Sequence, residues 1–588
     1  MNQTTSMNDV IVGIDLGTTN SVIAVDIDGE IKVLSIHGQP TMPSCVGLDA
    51  SGALVVGQAA RNQAIAAPDA TILSIKRQMG EDVRLSLGGR EYSPEEISSF
   101  ILRELKVEGE KQLGRTIQKA VITVPAFFTD RQRKATQVAG ELAGLDVVRI
   151  INEPTAAALA YGAGETPDET IVVYDLGGGT FDVSVVSVQE GVVEVRASHG
   201  DTHLGGDDFD QLLVEHALRE FENRHGANLS GDDRVLRRLR IVLERAKCRL
   251  SDEPFVAVRE EYLDGRQHLD FEIRRHDYET MIAPLLEKTL LSVHHALRDA
   301  ALLPQAVHRV MLVGGSTRTP LVQALLRDRL KMEPRWEIDP DLIVAMGAAM
   351  QGAMLAGGTR HSILVDITPH TFSTSSLGVM NGIERLVSVP IIARNTPLPA
   401  SKSELFFTLY DNQDAVNVDA RQGEEPVPEL NTLVGEFMVE GLSRVPSGNP
   451  VVVHFELDLN GRLKVTATEK QTGLARTVTM DTRGTHVLDV DEARRNIALL
   501  LQPLVPREED DDLADDENDT ETPERLLSTA KDLRKRGEAL LTKNITDDDA
   551  REIRELIHAS SGAIASREWE QLAEMSDTLS DLVFYLED

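Results

Sequence analysis

The sequence predicts a multidomain protein: an α/β domain built on a duplicated motif, then an antiparallel β domain, then a short α-helical region. Three observations carry this. One phrase is written twice, as Asp15-Leu16-Gly17-Thr18-Thr19 and as Asp175-Leu176-Gly177-Gly178-Gly179-Thr180, each between two apolar β runs. Beyond Gly357-Gly358 the alternation of strands and helices gives way to short alternating strands with frequent turns. After the acidic run Glu508-Glu509-Asp510-Asp511-Asp512, apolar residues return at helical spacing.

The bulk properties set bounds. At 588 residues the chain is too long for a single core. No apolar run reaches the length that spans a bilayer. Residues 1–9 are polar, lack a signal-peptide core and are expected to be disordered. Cys45 and Cys248 are the only cysteines and have no metal-type spacing, so free thiols in a reducing, cytoplasmic setting are expected. The net charge of −35 argues against broad nucleic-acid binding, which needs a basic surface. There is no Gly-x-x-x-x-Gly-Lys-Ser/Thr and no Gly-x-Gly-x-x-Gly after a strand, so neither a P-loop nor a dinucleotide fold is indicated.

The first domain is placed at 10–358. Val10–Ile14 and Ser21–Val25 flank the first copy of the motif; Ile171–Tyr174 and Val183–Val186 flank the second. A strand, a tight Gly/Thr turn and a returning strand make a hairpin. Glycine lets backbone N–H groups close on an anion, and the Thr hydroxyls add donors. The Asp that opens each turn can hold Mg²⁺ through its waters, since that ion keeps most of its hydration shell. Two such hairpins face to face would clamp one triphosphate. A single turn of this kind is often only a turn; two copies with one flanking pattern report duplicated architecture.

Residues 359–366 read as a linker, a Gly-led hinge followed by the apolar run Ile363-Leu364-Val365 and then Asp366. Residues 367–505 read as a β-sandwich, with Phe406–Tyr410, Val451–Phe455 and Leu463–Ala467 as strands and Asn460-Gly461 as a hairpin turn. Residues 506–522 read as an acidic, solvated linker. Residues 523–588 read as a helical lid. Its helices are Glu524–Leu541, one that starts at Thr546 with Asp547, Asp548 and Asp549 in the first turn, and Arg567–Leu586.

Four segments then stand in order: Gly13-Ile14-Asp15-Leu16-Gly17-Thr18-Thr19-Asn20-Ser21, Asn152-Glu153-Pro154-Thr155-Ala156-Ala157-Ala158, Asp175 to Asp182, and Val313-Gly314-Gly315-Ser316-Thr317-Arg318. This set resembles the heat-shock seventy (DnaK-type) molecular chaperones, whose ATPase domain is actin-like, a duplicated ribonuclease-H-like fold. The short stretch between Gly80 and Ser93 and the short C-terminal region are most similar to the divergent HscC-type branch. The resemblance implies ATP and ADP as ligands, with Mg²⁺ and K⁺, and ATP hydrolysis that opens and closes a peptide site.

Residue by residue, it implies the following roles. Lys76 places the attacking water and neutralises phosphate, although taken alone a Lys there reads as a surface side chain. Glu153 and Asp175 hold the metal-bound and attacking waters, and Asp15 shares Mg²⁺ through water. Thr180 and Asp182 lie on the potassium and γ-phosphate side. Gly17, Thr18, Thr19 and Asn20, with Gly177, Gly178 and Gly179, cradle the phosphates, and Gly205-Gly206 add a turn at a helix start. Glu244 and Lys247, on one helix face, surround the nucleoside with Ser251; read locally, that pair is a helix salt bridge. Cys248 stands where many relatives carry Arg, which implies lost stacking on adenine. Gly314, Gly315, Ser316 and Arg318 form the opposing turn, and Asp341 closes the site.

Pro125 and Arg133 match the family's relay from nucleotide to linker. Ile363, Leu364, Val365 and Asp366 match the segment that docks in the ATP state. Ser362 and His361 replace its usual apolar and acidic residues, which implies weaker docking. Phe127, Asp130, Arg149 and Asn152 lie where a J-domain cochaperone touches relatives. The compact loop from Phe255 to Phe271 leaves the need for a GrpE-type exchange factor open. Thr374, Leu377, Phe406, Val416 and Val418 match the peptide site, and Thr374 replaces an Ile that lines the pocket. Without that resemblance the last three read as core. Three rivals remain: a metabolite kinase or a filament-forming protein of the same superfamily, both opposed by the linker and β domain, and a specialised chaperone or adaptor for one dedicated client.

Overall fold

The computed structural model describes residues 10–162, 168–336, 338–358, 363–480, 488–501 and, in the C-terminal part, chiefly the helix Asp547–Ser566. Residues 1–9, His361, Ser362, the acidic run and most of the stretches 524–541 and 567–586 lie outside the described residues. Among the described residues no helix is long and apolar enough to cross a membrane.

The β-branched runs around each Asp–Gly–Thr phrase become the centres of two six-stranded sheets with the same pairing pattern. In the first, Asp146–Asn152, Lys119–Val124 and Ile11–Asp15 run parallel. Asn20–Ile27 then folds back antiparallel on Ile11–Asp15, and Glu30–Val33 on Asn20–Ile27. In the second, Pro334–Arg335, Arg309–Val313 and Glu169–Leu176 run parallel. Phe181–Gln189 and Val192–Asp201 follow antiparallel. Each motif turn therefore joins the middle strand of a sheet to its returning neighbour.

Each sheet buries a core of its own. A third core, between them, includes the helices Glu153–Gly162 and Ile343–Leu355. These helices are rich in Ala and Gly because backbone meets backbone there. A Cβ on Gly347 would lie 1.8 Å from the carbonyl oxygen of Ala156, and one on Gly13 would lie 2.0 Å from the amide nitrogen of Ala349. The small residues thus hold the two sheets at close range, with the motif turns at the same end of both.

The second sheet has one further strand. Ile363–Val365 adds parallel to Val192–Glu194. Leu364 packs against the third core, while Ile363 remains exposed.

Beyond the linker, two four-stranded antiparallel sheets form. One runs in the order Ile383–Ile392, Phe372–Met380, Ala415–Gln422, Thr432–Glu440; the other runs Ala400–Phe407, Pro450–Leu457, Leu463–Glu469, Ala475–Met480. Period-2 burial is clearest in Pro450–Leu457, and both sheets contribute to one core that includes Phe372, Val418, Phe455 and Val465. Asn460-Gly461 does lie between two paired strands, but the connection spans five residues, 458–462. Asp458 organises it by accepting hydrogen bonds from the backbone N–H groups of Asn460 and Arg462 at 2.8 and 2.9 Å.

The helix Val490–Leu501 returns to the first lobe. Ala493 and Ile497 are buried in its core, and Asn496 donates to Glu96 at 3.1 Å. The C-terminal unit, from Val505 on, is described by the helix Asp547–Ser566 and a small cluster in which Leu533, Ile553 and Leu579 are buried.

Candidate functional site

The two motif turns face one cavity of about 620 Å³, within the range of cofactor-sized pockets. At its closed end stand Asp15, Lys76, Glu153, Asp175 and Thr180. Lys76 lies on a short turn of 3-10 helix, Ile75–Gln78, and is only 5% exposed. Its ammonium donates to Glu153 at 2.5 Å. Burial works against that charge, but Glu153, Asp15 and Asp175 together hold it above its ordinary pKa. A lysine that would read as a surface side chain is here the cation of a buried carboxylate cluster.

The carboxylates pay for their company. Burial, reinforced by Glu153, pushes Asp15 up to about 7, although Thr123 donates to it at 2.9 Å. Burial with Glu153 and Asp182 raises Asp175 well above the carboxylate range. Asp182 does not line the cavity; it is buried one layer behind, accepts the Phe127 N–H at 3.0 Å, and is pushed up to about 7 by burial. A concentration of mutually repelling, raised carboxylates beside one lysine is what a divalent cation would relieve, so the donor set fits Mg²⁺.

This has a measurable consequence. Between about pH 4 and 7 the folded protein holds protons on Asp15 and Asp182 that the unfolded chain has already released. Stability therefore declines as pH rises through that window. In EDTA, without nucleotide, the melting temperature is expected to fall between pH 5 and 7, and Asp15→Asn should flatten the fall. Parallel slopes for the two proteins would contradict the assignment.

Gly17, Thr18, Thr19 and Asn20 line one side of the cavity, and Gly177 and Gly178 the other. Gly179, Gly205 and Gly206 form the layer behind. Gly206 donates to the carbonyl of Gly177 at 3.0 Å, and Asp207 to that of Gly178 at 2.7 Å. Gly314 is needed for a specific reason: its φ is +82°, and a Cβ would stand 2.5 Å from the Leu176 carbonyl oxygen. Ser316 ties this turn to the motif by donating to Gly177 O at 2.8 Å.

At the open end the local reading of one pair is corrected. Glu244 and Lys247 do not bridge to each other. Glu244 accepts from Arg61 at 2.7 Å, from the opposite lobe, and Lys247 pairs with Asp210 at 2.8 Å and donates to Gly206 O. Asp210 holds the Lys247 ammonium above its ordinary value despite burial. Cys248 and Ser251 line the same end, and Arg318 pairs with Asp341 at 2.8 Å and with Asp339 at 3.0 Å. Sequence reasoning missed Arg61, Asp210 and the cavity-lining Trp336, because each comes from a segment with no motif of its own.

Behind the closed end runs a chain of contacts to the linker. Pro125 is buried. Arg133 donates to Ala126 O at 3.0 Å, Phe128 O at 3.2 Å and Asn152 Oδ1 at 2.5 Å. Asn152, next to Glu153, donates to both oxygens of Asp366 at 3.0 Å. Across the same interface Asp130 N–H donates to Gln422 at 3.0 Å. Arg149 is half-buried near Asp366. In the β region, Thr374 is buried and donates to Asp419 at 3.1 Å. Val418 is buried, Phe406 and Val416 pack on the core edge, and Leu377 is exposed.

The cavity, its acid–lysine cluster and its Gly/Thr turns define a machine for a nucleoside triphosphate, joined by a docked linker to a β region. The model of the Hsp70 protein family matches residues 11–86 and 81–586, and the chain belongs to the Hsp70 family. It is 41% identical over 570 residues to the chaperone protein DnaK of Thermotoga petrophila, covering 94% of this chain and 93% of that protein. It is an ATP-dependent molecular chaperone and an ATPase that binds ATP and ADP with Mg²⁺ and works with client peptides and cochaperones.

Proposed function

We propose that ATP in the actin-like domain, residues 10–358, controls an extended-peptide site in the β-sandwich, with the linker strand as the coupling element. The observation that carries this is the unbroken contact from cavity to linker, Lys76–Glu153 in the cleft and Arg133–Asn152–Asp366 behind it. The docked arrangement is then the ATP state.

In this reading, Asp15 and Asp175 would hold Mg²⁺ through water, and that ion supplies charge neutralisation on the phosphates. Thr18, Thr19 and the glycine turns donate to phosphate oxygens. Lys76 orients the attacking water and offsets charge on the γ-phosphate, while Glu153 and Asp175 fix that water by accepting its hydrogens. Thr180 and Asp182 would serve K⁺ on the γ-phosphate side. Apolar side chains of a client would enter between Leu377, Phe406 and Val416, with Thr374 and Val418 shaping the pocket, and the peptide backbone would pair with the rim. A J-domain cochaperone would meet Phe127, Asp130, Arg149 and Asn152. The shortness of the stretch from Gly80 to Ser93 supports the HscC-type branch, and the thiol content supports the cytoplasm.

At the nucleoside end, Cys248 offers no cation to stack on the base. Cys248→Arg is expected to tighten ATP binding by roughly two- to thirtyfold, the range of an exposed to desolvated cation–π contact. Titration with a fluorescent ATP analogue reads this; unchanged affinity would place Cys248 away from the base. The whole reading is tested by steady-state hydrolysis with and without an apolar peptide. Acceleration by peptide supports coupled sites, and a rate indifferent to peptide counts against it.

A further inference from the structure

Three histidines meet where the β-sandwich docks on the second lobe. His199 stands on the strand Val192–Asp201, His295 on the helix Arg275–Asp299, and His370 in the segment that follows the linker. His199 Nε2 and His295 Nδ1 lie 3.3 Å apart, and His199 Nδ1 is buried without a partner. The Phe127 ring lies between the two sides, its centroid 5.3 Å from that of His199 and 4.4 Å from that of His370. His370 is buried, and its Nε2 donates to Phe127 O at 2.9 Å, so an N–H group of the β-sandwich closes on a backbone carbonyl of the first lobe.

The surroundings do not welcome a further positive charge. His199 faces His295, Arg298 and Asp299 from the helix and Arg394 from the β-sandwich. Asp299 is already taken by Arg394 at 2.7 Å. His370 faces Arg133 from the first lobe and Arg394 and Glu424 from its own domain, and Glu424 accepts two hydrogen bonds from Thr371 at 2.8 Å. Burial is the main reason that both imidazoles lie below their ordinary value, His199 down to about 4.

We propose that His199 and His370, on either side of the Phe127 ring, make docking of the β-sandwich acid-sensitive, so that the interface opens below neutral pH and the chain loses its response to ATP. This rests on the docked arrangement being the ATP state. The sign follows from linkage. A histidine whose pKa is depressed in the docked state strengthens docking above about pH 6.5, its ordinary value, and that contribution is lost as pH falls towards the docked value. His370 is the more exposed to this, since undocking removes its burial and its nearness to Arg133 at once; the lost hydrogen bond to Phe127 O acts the other way and offsets only part of it. Asp366, buried at the same interface and raised by burial, titrates in the opposite sense, so the histidine part must be isolated by substitution.

The test uses the full chain with excess Mg·ATP at pH 7.5 and 5.5, wild type beside His199→Gln/His370→Leu. Small-angle X-ray scattering reads the docked fraction, and labelled-peptide release reads the response. The wild type is expected to expand at pH 5.5 and to lose about tenfold or more in its docking constant, the effect of one pKa unit in a single group. The double variant should keep one radius at both pH values. Wild-type and variant profiles that coincide, or a wild type that keeps one radius, would overturn the proposal. If the double variant fails to fold, His370→Gln, which keeps a donor for Phe127 O, is read in the same way. Expansion with acid but no ATP effect on peptide release at pH 7.5 would sustain the histidine device and remove the coupling reading instead.

Discussion

Lys76→Ala is expected to lower ATP hydrolysis by ~10² to 10³-fold while nucleotide still binds. The magnitude is that of removing one preorganised charge-stabilising donor from a water-poor site. Among the described residues, Lys76 is the one cation that stands with Asp15, Glu153 and Asp175 at the closed end. Ground-state binding depends more on the glycine turns and on the open end, where Lys247 and Arg318 stand. The loss should therefore fall on the chemical step, seen in single-turnover hydrolysis beside a nucleotide titration. The substitution also leaves Glu153 buried without its partner, so the nucleotide-free variant should be less stable, by up to about 3–5 kcal/mol if the charge is retained. A drop of less than tenfold in the hydrolysis rate would remove Lys76 from the mechanism.

The second large effect is expected at Asp366. Its carboxylate accepts two hydrogen bonds from Asn152, and one each from Thr155 at 3.4 Å and the Ile367 N–H at 2.9 Å. Asp366→Asn keeps the shape but removes the charge and sets an amide NH₂ against that of Asn152. Hydrogen bonds to a charged group contribute about 1.5–3 kcal/mol, so docking should weaken roughly ten- to a hundredfold. The expected phenotype is divided: ATP binding stays within a factor of about three, while acceleration of peptide release by ATP is nearly lost. Equal losses in both would mean that Asp366 supports the fold rather than the signal.

The contrast between these residues shows what a sequence can disclose. The turns at Asp15–Thr19 and Asp175–Thr180 are local objects, specified by a few adjacent residues, and could be read as phosphate cradles before any tertiary contact was known. The small-residue run Ala345–Ala353, inside the helix Ile343–Leu355, is a local sign of the same kind, because Ala and Gly mark close backbone approach. The charge partners of Glu244 and Lys247 were not legible. The i, i+3 spacing of Glu244 and Lys247 suggests a pair, but Arg61 and Asp210 reach them from elsewhere in the chain and take both charges. Lys76 gave no local sign, since its burial is created by carboxylates on three other segments. The histidines carried still less: each is a lone residue, and only docking brings Phe127 between them. Thr374 was noted as a polar residue at a pocket position; its buried bond to Asp419, 45 residues away, was beyond any local pattern.

The central claim is that the cavity and the peptide site are one machine joined through Ile363–Asp366. Its most direct measurement is fluorescence anisotropy of a labelled apolar peptide, first bound with ADP and then followed after addition of Mg·ATP. The account predicts rapid release on ATP and slow release on further ADP. Peptide that binds but leaves at the same rate with either nucleotide would contradict it.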